Sequence, residues 1–174
     1  MVWIKNKKIL KWIPVCCLFL LTGCSISYQL NGASVDYNLT KTISIQDFPN
    51  YADLVYPTLS QTFTQGLRNR FINQTRLQMV DVNADLEIEG EITGYRTDDM
   101  AVKADALASE TKLTMTVKVR YMNNKKQGED LEQDFTAYRS YPANQLLDAV
   151  QDRLITELVE DLTDQIFNAT LGNW

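Results

Sequence analysis

Two stretches near the middle of the chain alternate apolar and polar side chains. In "LEIEGEITGY" (86–95), Leu, Ile and Gly alternate with Glu, Thr and a final Tyr, and "TKLTMTVKVRYM" (111–122) repeats the pattern with Thr, Lys and Arg as the polar residues. Successive side chains of a β-strand point to opposite faces, so each stretch predicts a strand with one buried and one solvated face. The solvated face of the first strand is acidic and is expected to end with Tyr95.

Three further stretches also predict strands. "TISIQ" (42–46) alternates and is rich in β-branched residues, and a short strand is expected around residues 77–82. "LEQDFTAYRSY" predicts a strand over 131–140. A polar turn separates it from the strand at 111–122, so the two are expected to form a hairpin.

Two stretches have the spacing of helices. We expect Pro57 to open the first helix, a position where its missing N–H costs little. Its apolar residues recur at every fourth position: Leu59, Phe63, Leu67 and Phe71. The second helix is expected over residues 144–171 with Asn144 as its cap. Its apolar stripe is wide, which is typical of a helix that packs on a sheet.

The order of the main elements, β-α-β-β-β-α, predicts an α+β fold. We expect a two-layer sandwich in which two helices pack on a four-stranded mixed sheet. One segment, "TDDMAVKADALASE" (97–110), fits no element and is expected to be a long connection between two strands. Connections of this length tend to be functional or mobile.

The N-terminal residues have the layout of a secretory signal. A positively charged start is followed by an apolar run from Trp12 to Leu21 that only Pro14 interrupts. The run is shorter than the about 20 apolar residues that a membrane span requires. A signal peptide is therefore favoured over a transmembrane anchor.

The end of this run, "LTGC" (21–24), resembles a bacterial lipobox. The resemblance implies cleavage before Cys24 and acylation of that cysteine, whose acyl chains would anchor the protein in a membrane. Residues 1–23 would then be the signal peptide, 24–40 a lipidated tether or extended arm, and 41–174 the folded domain. The other two cysteines leave with the signal peptide, so no disulfide is expected.

The composition excludes several classes of function. The chain has 17 basic and 22 acidic residues, and removal of the signal peptide with its four lysines leaves 13 against 22, a net charge of −9. Nucleic-acid binding needs a basic surface and is not expected. The absence of histidine excludes Ser-His-Asp and Cys-His catalysis and histidine-based zinc sites. The chain has no glycine-rich phosphate loop, and no cofactor is expected.

The block "KTISIQDFPNYADLVYPTLSQTFTQGLRNRFINQTRLQMVDVNADLEIEGEITGY" (41–95) resembles the lipopolysaccharide-assembly lipoprotein family LptE, in the branch found in Bacteroidetes. The resemblance continues more loosely through "LTMTVKVRY" to "ATLGNW". It implies a two-layer sandwich without enzymatic activity, anchored by its lipid in the outer membrane on the periplasmic side. It also implies a plug inside an LptD-type β-barrel that supports barrel assembly and contacts lipopolysaccharide.

Two cations are the candidate contacts for lipopolysaccharide. Arg96 lies at a strand end and Lys103 lies in the long 97–110 connection, and arginine makes bidentate contacts with phosphate groups. Weaker candidates are Arg68, Arg70, Arg76 and Lys112. Most surface cations are simply solvated, and that interpretation stays open for all six.

Three carboxylates on one strand face, Glu87, Glu89 and Glu91, have two interpretations. Converging oxygens could bind a divalent ion. Alternation alone also places carboxylates at this spacing on a solvated face, and we favour this second interpretation. No metal site is therefore expected. Asp98 and Asp99 are interpreted as solvated loop residues.

Two functions of other classes remain open. A periplasmic lipoprotein activator that docks on a cell-wall synthase would share the anchor and the small α/β domain. It would need a longer tether than the 25–40 segment supplies. A lipid-anchored hydrolase with a glutamate pair would need a cleft and a carboxyl group of raised pKa, and no spacing in the sequence demands either.

Overall fold

The computed structural model describes residues 35–100 and 109–172. Within these residues the chain forms five strands and two helices. In chain order they are β1 (Thr42–Ile45), α1 (Leu59–Gln74), β2 (Gln78–Met79), β3 (Leu86–Asp99), β4 (Glu110–Asn123), β5 (Leu131–Pro142) and α2 (Leu147–Leu171). Neither helix has the length and apolar character needed to cross a membrane.

The strands form one mixed sheet in the order β2-β1-β3-β4-β5. β1 runs parallel to β2 and β3, whereas β4 is antiparallel to β3 and β5. The expected α+β arrangement of two helices on a mixed sheet is confirmed, but the expected number of strands is wrong, because the sheet has five strands and not four. The additional strand is β2. It exists because the chain leaving α1 runs beside β1, where Gln78 N donates to Lys41 O and Val80 N to Ile43 O, each at 2.9 Å.

One apolar core joins the helices to the inner face of the sheet, which we define as the face towards the helices. The α1 residues predicted from their spacing, Leu59, Phe63, Leu67 and Phe71, are all buried. Buried residues of α2 include Leu154, Ile155, Leu158, Val159, Leu162, Ile166 and Phe167. The inner positions of β4 are buried as predicted: Leu113, Met115, Val117, Val119 and Tyr121. The alternation of β4 therefore specified its two faces correctly.

A glycine sets how closely the two helices approach each other. A Cβ atom added to Gly66 of α1 would lie 2.5 Å from Val159 Cγ1 of α2, so the helices touch where this side chain is missing. Further along the same contact, the rings of Phe71 and Phe167 pack edge to face with their centroids 5.2 Å apart. The helices thus form one packed layer above the sheet.

A β-bulge changes which side chains β3 buries. Ile92 pairs with Val117 but Gly94 pairs with Thr116, so Thr93 is an extra residue in β3. An extra residue reverses the alternation beyond it. Tyr95 is consequently buried on the inner face, and the expectation that it lies beside the glutamates on the solvated face is wrong.

The connection predicted over residues 97–110 is shorter than expected. β3 continues to Asp99, which pairs with Thr111, and Met100 N donates to Glu110 O at 2.9 Å. Both ends of the predicted connection are therefore strand, because cross-strand hydrogen bonds outweigh the weak strand preference of a "TDD" sequence. The remaining residues, 101–108, lie outside the described part of the chain.

The second helix begins three residues later than predicted. Leu146 is its first flanking residue and has an extended backbone, with φ −73° and ψ 139°. Before it, Gln145 N donates to Pro142 O at 3.0 Å in a turn. Asn144 belongs to this turn, so the expectation that it caps the helix is wrong.

Candidate functional site

The outer face of the sheet, which is the face away from the helices, carries alternating rows of charge. Acidic side chains of β3 and β5 flank basic side chains of β4. Arg120 Nη1 lies 3.1 Å from Glu89 Oε1, and Lys118 Nζ lies 2.9 Å from Glu132 Oε1. The Lys118 ammonium lowers the pKa of the Glu132 carboxyl, and Glu132 in turn raises the pKa of Lys118. All four side chains of these two ion pairs are solvent-exposed, so each pair stabilises the fold only weakly.

Two of the three glutamates of β3 have different partners, and the Glu91 side chain makes no hydrogen bond or ion pair within the described residues. Glu89 pairs with Arg120, and Glu87 Oε1 accepts a hydrogen bond from Asn124 Nδ2 at 2.8 Å. Within the described residues, no three acidic, cysteine or histidine groups are arranged to hold a metal ion. This geometry fits a solvated face and gives no support to a divalent-ion site.

A second group of side chains on the outer face, which we call the distal cluster, consists of Arg96, Lys112, Thr114 and Tyr138. The cluster lies near the end of the sheet where β3 leads towards β4. Register places Arg96 and Tyr138 on either side of Thr114. Lys112 Nζ lies 5.6 Å from the centroid of the Tyr138 ring, within cation–π range. Three strands therefore bring two cations, a hydroxyl and a phenol together.

The exposed Arg96 is the feature of the distal cluster that suits an anionic ligand. Arg96 is 65% exposed and bonds through Nε to Asp98 Oδ2 at 3.2 Å, the one ion pair it makes within the described residues. Thr114 is only 6% exposed, and its Oγ1 has no hydrogen-bond partner among the described residues. The exposed guanidinium can bind a phosphate or carboxylate oxygen, whereas the Thr114 hydroxyl is buried and is not accessible to a ligand in this structure.

The sequence identified part of this cluster. Arg96 was a main candidate and Lys112 a weaker one, whereas Thr114 and Tyr138 were not recognised. No local sequence pattern marks either residue. Tyr138 pairs with Thr114 across β5 and β4, and Thr114 pairs with Arg96 only after the bulge at Thr93 has shifted the β3 register.

The two arginines of α1 have structural partners instead. Arg68 Nη2 donates to Ile45 O at 2.7 Å and to Asp47 Oδ1 at 3.1 Å. Arg70 pairs with Asp164 of α2, and its guanidinium carbon lies 5.8 Å from the centroid of the Phe167 ring. Both side chains join elements of the fold to one another, which makes them poor ligand-binding candidates.

Two of the predicted site residues, Cys24 and Lys103, lie outside the described residues. Of the three predicted site residues, the structure describes Arg96 alone and places it on β3.

A cavity of about 420 Å³ lies at the opposite end of the sheet. Its lining comes from the segment before β1, the β4–β5 turn and the last turn of α2, and includes Leu39, Tyr121, Lys125, Lys126 and Leu171. Both lysines are paired, Lys125 with Asp85 and Lys126 with Glu129. Burial raises the pKa of Tyr121 to about 12, so the phenol stays protonated. This cavity offers an anion less free positive charge than the distal cluster does.

Asp85 joins β1 to the β4–β5 turn near this cavity. Its Oδ2 accepts the amide hydrogens of Lys41 at 2.7 Å and Thr42 at 3.1 Å. Its Oδ1 lies 2.9 Å from Lys125 Nζ. The Lys41 amide is the main cause that lowers the pKa of Asp85 to about 2, with Lys125 and Thr42 adding to it. Asp85 is therefore a structural carboxylate that stays ionised.

Comparison with known families decides the identity of this fold. Residues 40–170 match the model of the family LptE, described as lipopolysaccharide-assembly. The chain belongs to the LptE family. The match confirms the expected family membership. The family consists of outer-membrane lipoproteins without enzymatic activity. No curated protein matches the chain closely enough to count as a relative.

Several solved structures are similar to the chain at low sequence identity. A putative neuraminyllactose-binding hemagglutinin homolog from Helicobacter pylori is 10% identical with a TM-score of 0.52, over 81% of this chain and 88% of that one. A Xanthomonas campestris protein is 10% identical with a TM-score of 0.51, over 80% and 86%. A minor lipoprotein from Acinetobacter baumannii is 18% identical with a TM-score of 0.48, over 74% and 91%. At these identities the first two likenesses concern the fold alone.

Proposed function

We propose that this LptE-family chain is an outer-membrane lipoprotein, acylated at Cys24, that plugs an LptD-type β-barrel and helps it assemble for lipopolysaccharide transport. The observation that carries the proposal is the family match over residues 40–170. Cleavage of residues 1–23 would leave segment 24–40 as the tether of the folded domain that follows. The acyl chains on Cys24 would hold that domain at the periplasmic side of the outer membrane.

The outer face of the sheet has the character that a plug needs. The interior of a membrane barrel is usually hydrophilic, and the outer face presents ion pairs such as Arg120–Glu89 and Lys118–Glu132 rather than an apolar patch. Exposed charges of both signs can meet a polar barrel wall without burying unpaired groups. This surface supports the plug assignment.

We place a lipopolysaccharide contact at the distal cluster. Lipopolysaccharide carries phosphate groups, and Arg96 has exposed guanidinium donors that can bind them. Tyr138 adds an exposed aromatic surface. Lys103, seven positions after Arg96 in the chain, would add a further cation to the contact.

The proposal includes no catalysis by this chain. A hydrolase with a carboxyl pair needs one carboxyl of raised pKa as its acid. The carboxyl pKa shifts in the described residues are downward, at Asp85, Glu132 and Asp161. These groups are ionised partners in hydrogen bonds and ion pairs, which supports a structural role.

The partner is tested by photo-crosslinking in cells. A photo-reactive residue at Met100 or Ala106 is expected to crosslink to an LptD-type barrel, with Glu160 on the exposed side of α2 as the control position. Depletion of the protein should impair barrel maturation and lipopolysaccharide export. Crosslinks to cell-wall synthases with normal export would favour the activator function instead.

The lipopolysaccharide contact is tested separately with purified protein. Arg96→Ala should weaken binding of lipopolysaccharide at least tenfold, because a charge-assisted contact contributes roughly 1.5–3 kcal/mol. Arg120→Ala is the matched control, since Arg120 is also an exposed, ion-paired arginine of the outer face. Equal loss in both variants would indicate non-specific charge attraction and would remove the distal cluster from the proposal.

The anchor is tested by mass spectrometry of the native protein. A Cys24-terminal, acylated peptide is expected, with no peptide from residues 1–23. Cys24→Ala should leave the protein uncleaved or released from the membrane, with the fold intact because the first strand of the sheet begins only at Thr42. An unmodified thiol at Cys24 would contradict the lipoprotein assignment.

A further inference from the structure

The β5 strand forms a long unpaired edge of the sheet. β5 pairs with β4 from Leu131 to Pro142 without a register shift, and within the described residues no strand pairs with its other side. The opposite edge of the sheet is β2, which has only two residues. An open strand edge presents unpaired N–H and C=O groups that can pair with another strand.

The register shows which residues point their backbone groups at this edge. The inner residues Ile88 and Ile92 of β3 bond towards β1, since Gln46 N donates to Ile88 O and Ile92 N to Pro49 O, each at 2.9 Å. Backbone direction alternates along a strand together with side-chain direction. The outer residues of β3 and β4 therefore bond to each other, and the inner residues of β4 and β5 do the same.

The outer residues of β5 consequently point their N–H and C=O groups away from the sheet. These residues are Glu132, Asp134, Thr136, Tyr138 and Ser140, and all five are exposed. Their carbonyls are open except that of Tyr138, which accepts a hydrogen bond from Arg139 Nη1 at 2.9 Å within the described residues. The open ladder is about 27 Å long at about 3.4 Å per residue, and no bulge or internal proline interrupts it.

Charge indicates what kind of strand this edge accepts. Acidic groups flank it on both sides. On the outer face these are Glu132, which is paired with Lys118, and Asp134. On the inner face they are Glu157 and Asp161 of α2, which share Arg139. Asp134 has no ion pair within the described residues. The mature chain would carry a net charge of −9, so a second copy of this chain would be repelled at low salt.

We propose that the β5 edge is a docking site for an extended, lysine- or arginine-bearing segment of a partner protein, which adds to the sheet as a sixth strand. Main-chain hydrogen bonds supply the affinity in this mode of recognition, and alternate side chains supply the specificity. Cationic side chains on one face of the added strand lie beside Glu132 and Asp134. The inference goes beyond the proposed function, because it holds for any partner with such a segment and does not depend on lipopolysaccharide or on a barrel.

The probe for this site is a peptide of about nine residues that alternates lysine and valine, a length that matches the open ladder. The control peptide replaces its lysines by glutamate. In the free, delipidated protein the amide hydrogens of Asp134 and Thr136 should exchange rapidly by NMR. The lysine peptide should slow their exchange at least tenfold, the glutamate peptide should not, and added salt should weaken the effect.

A proline variant tests whether the contact is made by the backbone. Thr136→Pro removes an N–H at the open edge, where proline is tolerated, and should weaken peptide binding at least tenfold. Thr97→Pro is the matched control. It is also an exposed threonine in a strand, but its amide points sideways in the opposite direction, towards the β1 and β2 edge of the sheet. Within the described residues, the last pairing of β3 on that side is the bridge between Asn50 and Ile92.

Asp134→Lys provides a second test that keeps every backbone group. This variant should lose affinity for the lysine peptide and gain affinity for the glutamate peptide. The proposal is wrong if Thr136→Pro binds the lysine peptide normally, or if Thr97→Pro loses binding as strongly. It is also wrong if the Asp134 and Thr136 amides are already protected in the free monomer, or if they become protected only as the protein self-associates.

Discussion

The two faces of the sheet arise from the same alternation of residues but contribute differently to the protein. On the inner face, Ile88, Val117 and Val119 are fully buried against the helices. On the outer face, Glu89 and Arg120 are exposed partners in an ion pair. Burial of a large apolar side chain contributes about 1.5–3 kcal/mol, whereas an exposed ion pair contributes about 0–1 kcal/mol. The inner face therefore determines stability, and the outer face is free to be shaped by contacts with other molecules.

The strongest test of this difference is a charge placed in the core. Leu158 of α2 is fully buried, and Leu158→Asp would leave an unpaired carboxylate there. The cost is several kcal/mol, a large share of the 5–15 kcal/mol that is typical of a domain. Circular dichroism should show an unfolded protein. The exposed Thr156→Asp on the same helix should change the unfolding free energy by less than about 0.5 kcal/mol, and similar stability of both variants would mean that α2 packs by another face.

A smaller effect is expected at Asp85, where a polar side chain takes part in holding the fold together. Asp85→Asn should lower the unfolding free energy at neutral pH by about 2 kcal/mol, because it weakens hydrogen bonds from Lys41 and Thr42 and removes the ion pair with Lys125. Urea unfolding measures the change.

The pH dependence supplies the control for Asp85. Its pKa in the folded state, about 2, lies below the ordinary value of 3.8. Its stabilisation is therefore present above about pH 4 and is lost as the pH falls towards 2. The stability difference between the natural protein and Asp85→Asn should shrink over that window, and a constant difference would contradict the assignment.

The effect of a Gly66→Ala substitution on stability is expected to change sign when Val159, its neighbour in α2, is shortened. Gly66→Ala should destabilise the protein by about 1 kcal/mol, because the new methyl group meets Val159 Cγ1 and overpacks the layer. In a Val159→Ala background the same substitution should stabilise the protein by up to about 1 kcal/mol, since alanine is the better helix former. Thermal unfolding of the four proteins in this cycle measures both values, and an equal effect in both backgrounds would show that the helices do not touch at Gly66.

The smallest effect is expected on the outer face. Arg120→Ala removes the ion pair with Glu89 and should change the unfolding free energy by less than about 0.5 kcal/mol. Chemical denaturation checks this. A loss of 2 kcal/mol or more would break the comparison, because the outer face would then contribute to stability as the inner face does.

Much of the fold could be predicted because its apolar residues are periodic. The spacing of Leu59, Phe63, Leu67 and Phe71 specified the buried side of α1, and alternation specified both faces of β4. β2 could not be counted with the main strands, because a two-residue strand has no period and exists only through hydrogen bonds to β1. The start of α2 was misplaced because a turn, and not a side-chain cap, precedes it.

The candidate site was predicted less completely than the fold. Arg96 could be chosen for its charge and its place at a strand end. Thr114 and Tyr138 become its neighbours only through register across three strands, and register is a property of pairing that no single stretch of sequence contains. The bulge is equally hidden, because "GEITGY" alternates without a break and gives no sign that Thr93 is an extra residue.

The bulge also determines how β3 tolerates changes in length. Since Thr93 is the residue without a partner in β4, a chain that lacked it would pair regularly, with Tyr95 still inside and Arg96 still outside. Removal of Glu89 from the regular part of the strand would instead force one half of β3 to turn over or the pairing to slip. In genetic terms, β3 contains one position where a codon can be deleted without exchanging the interior and exterior of the protein.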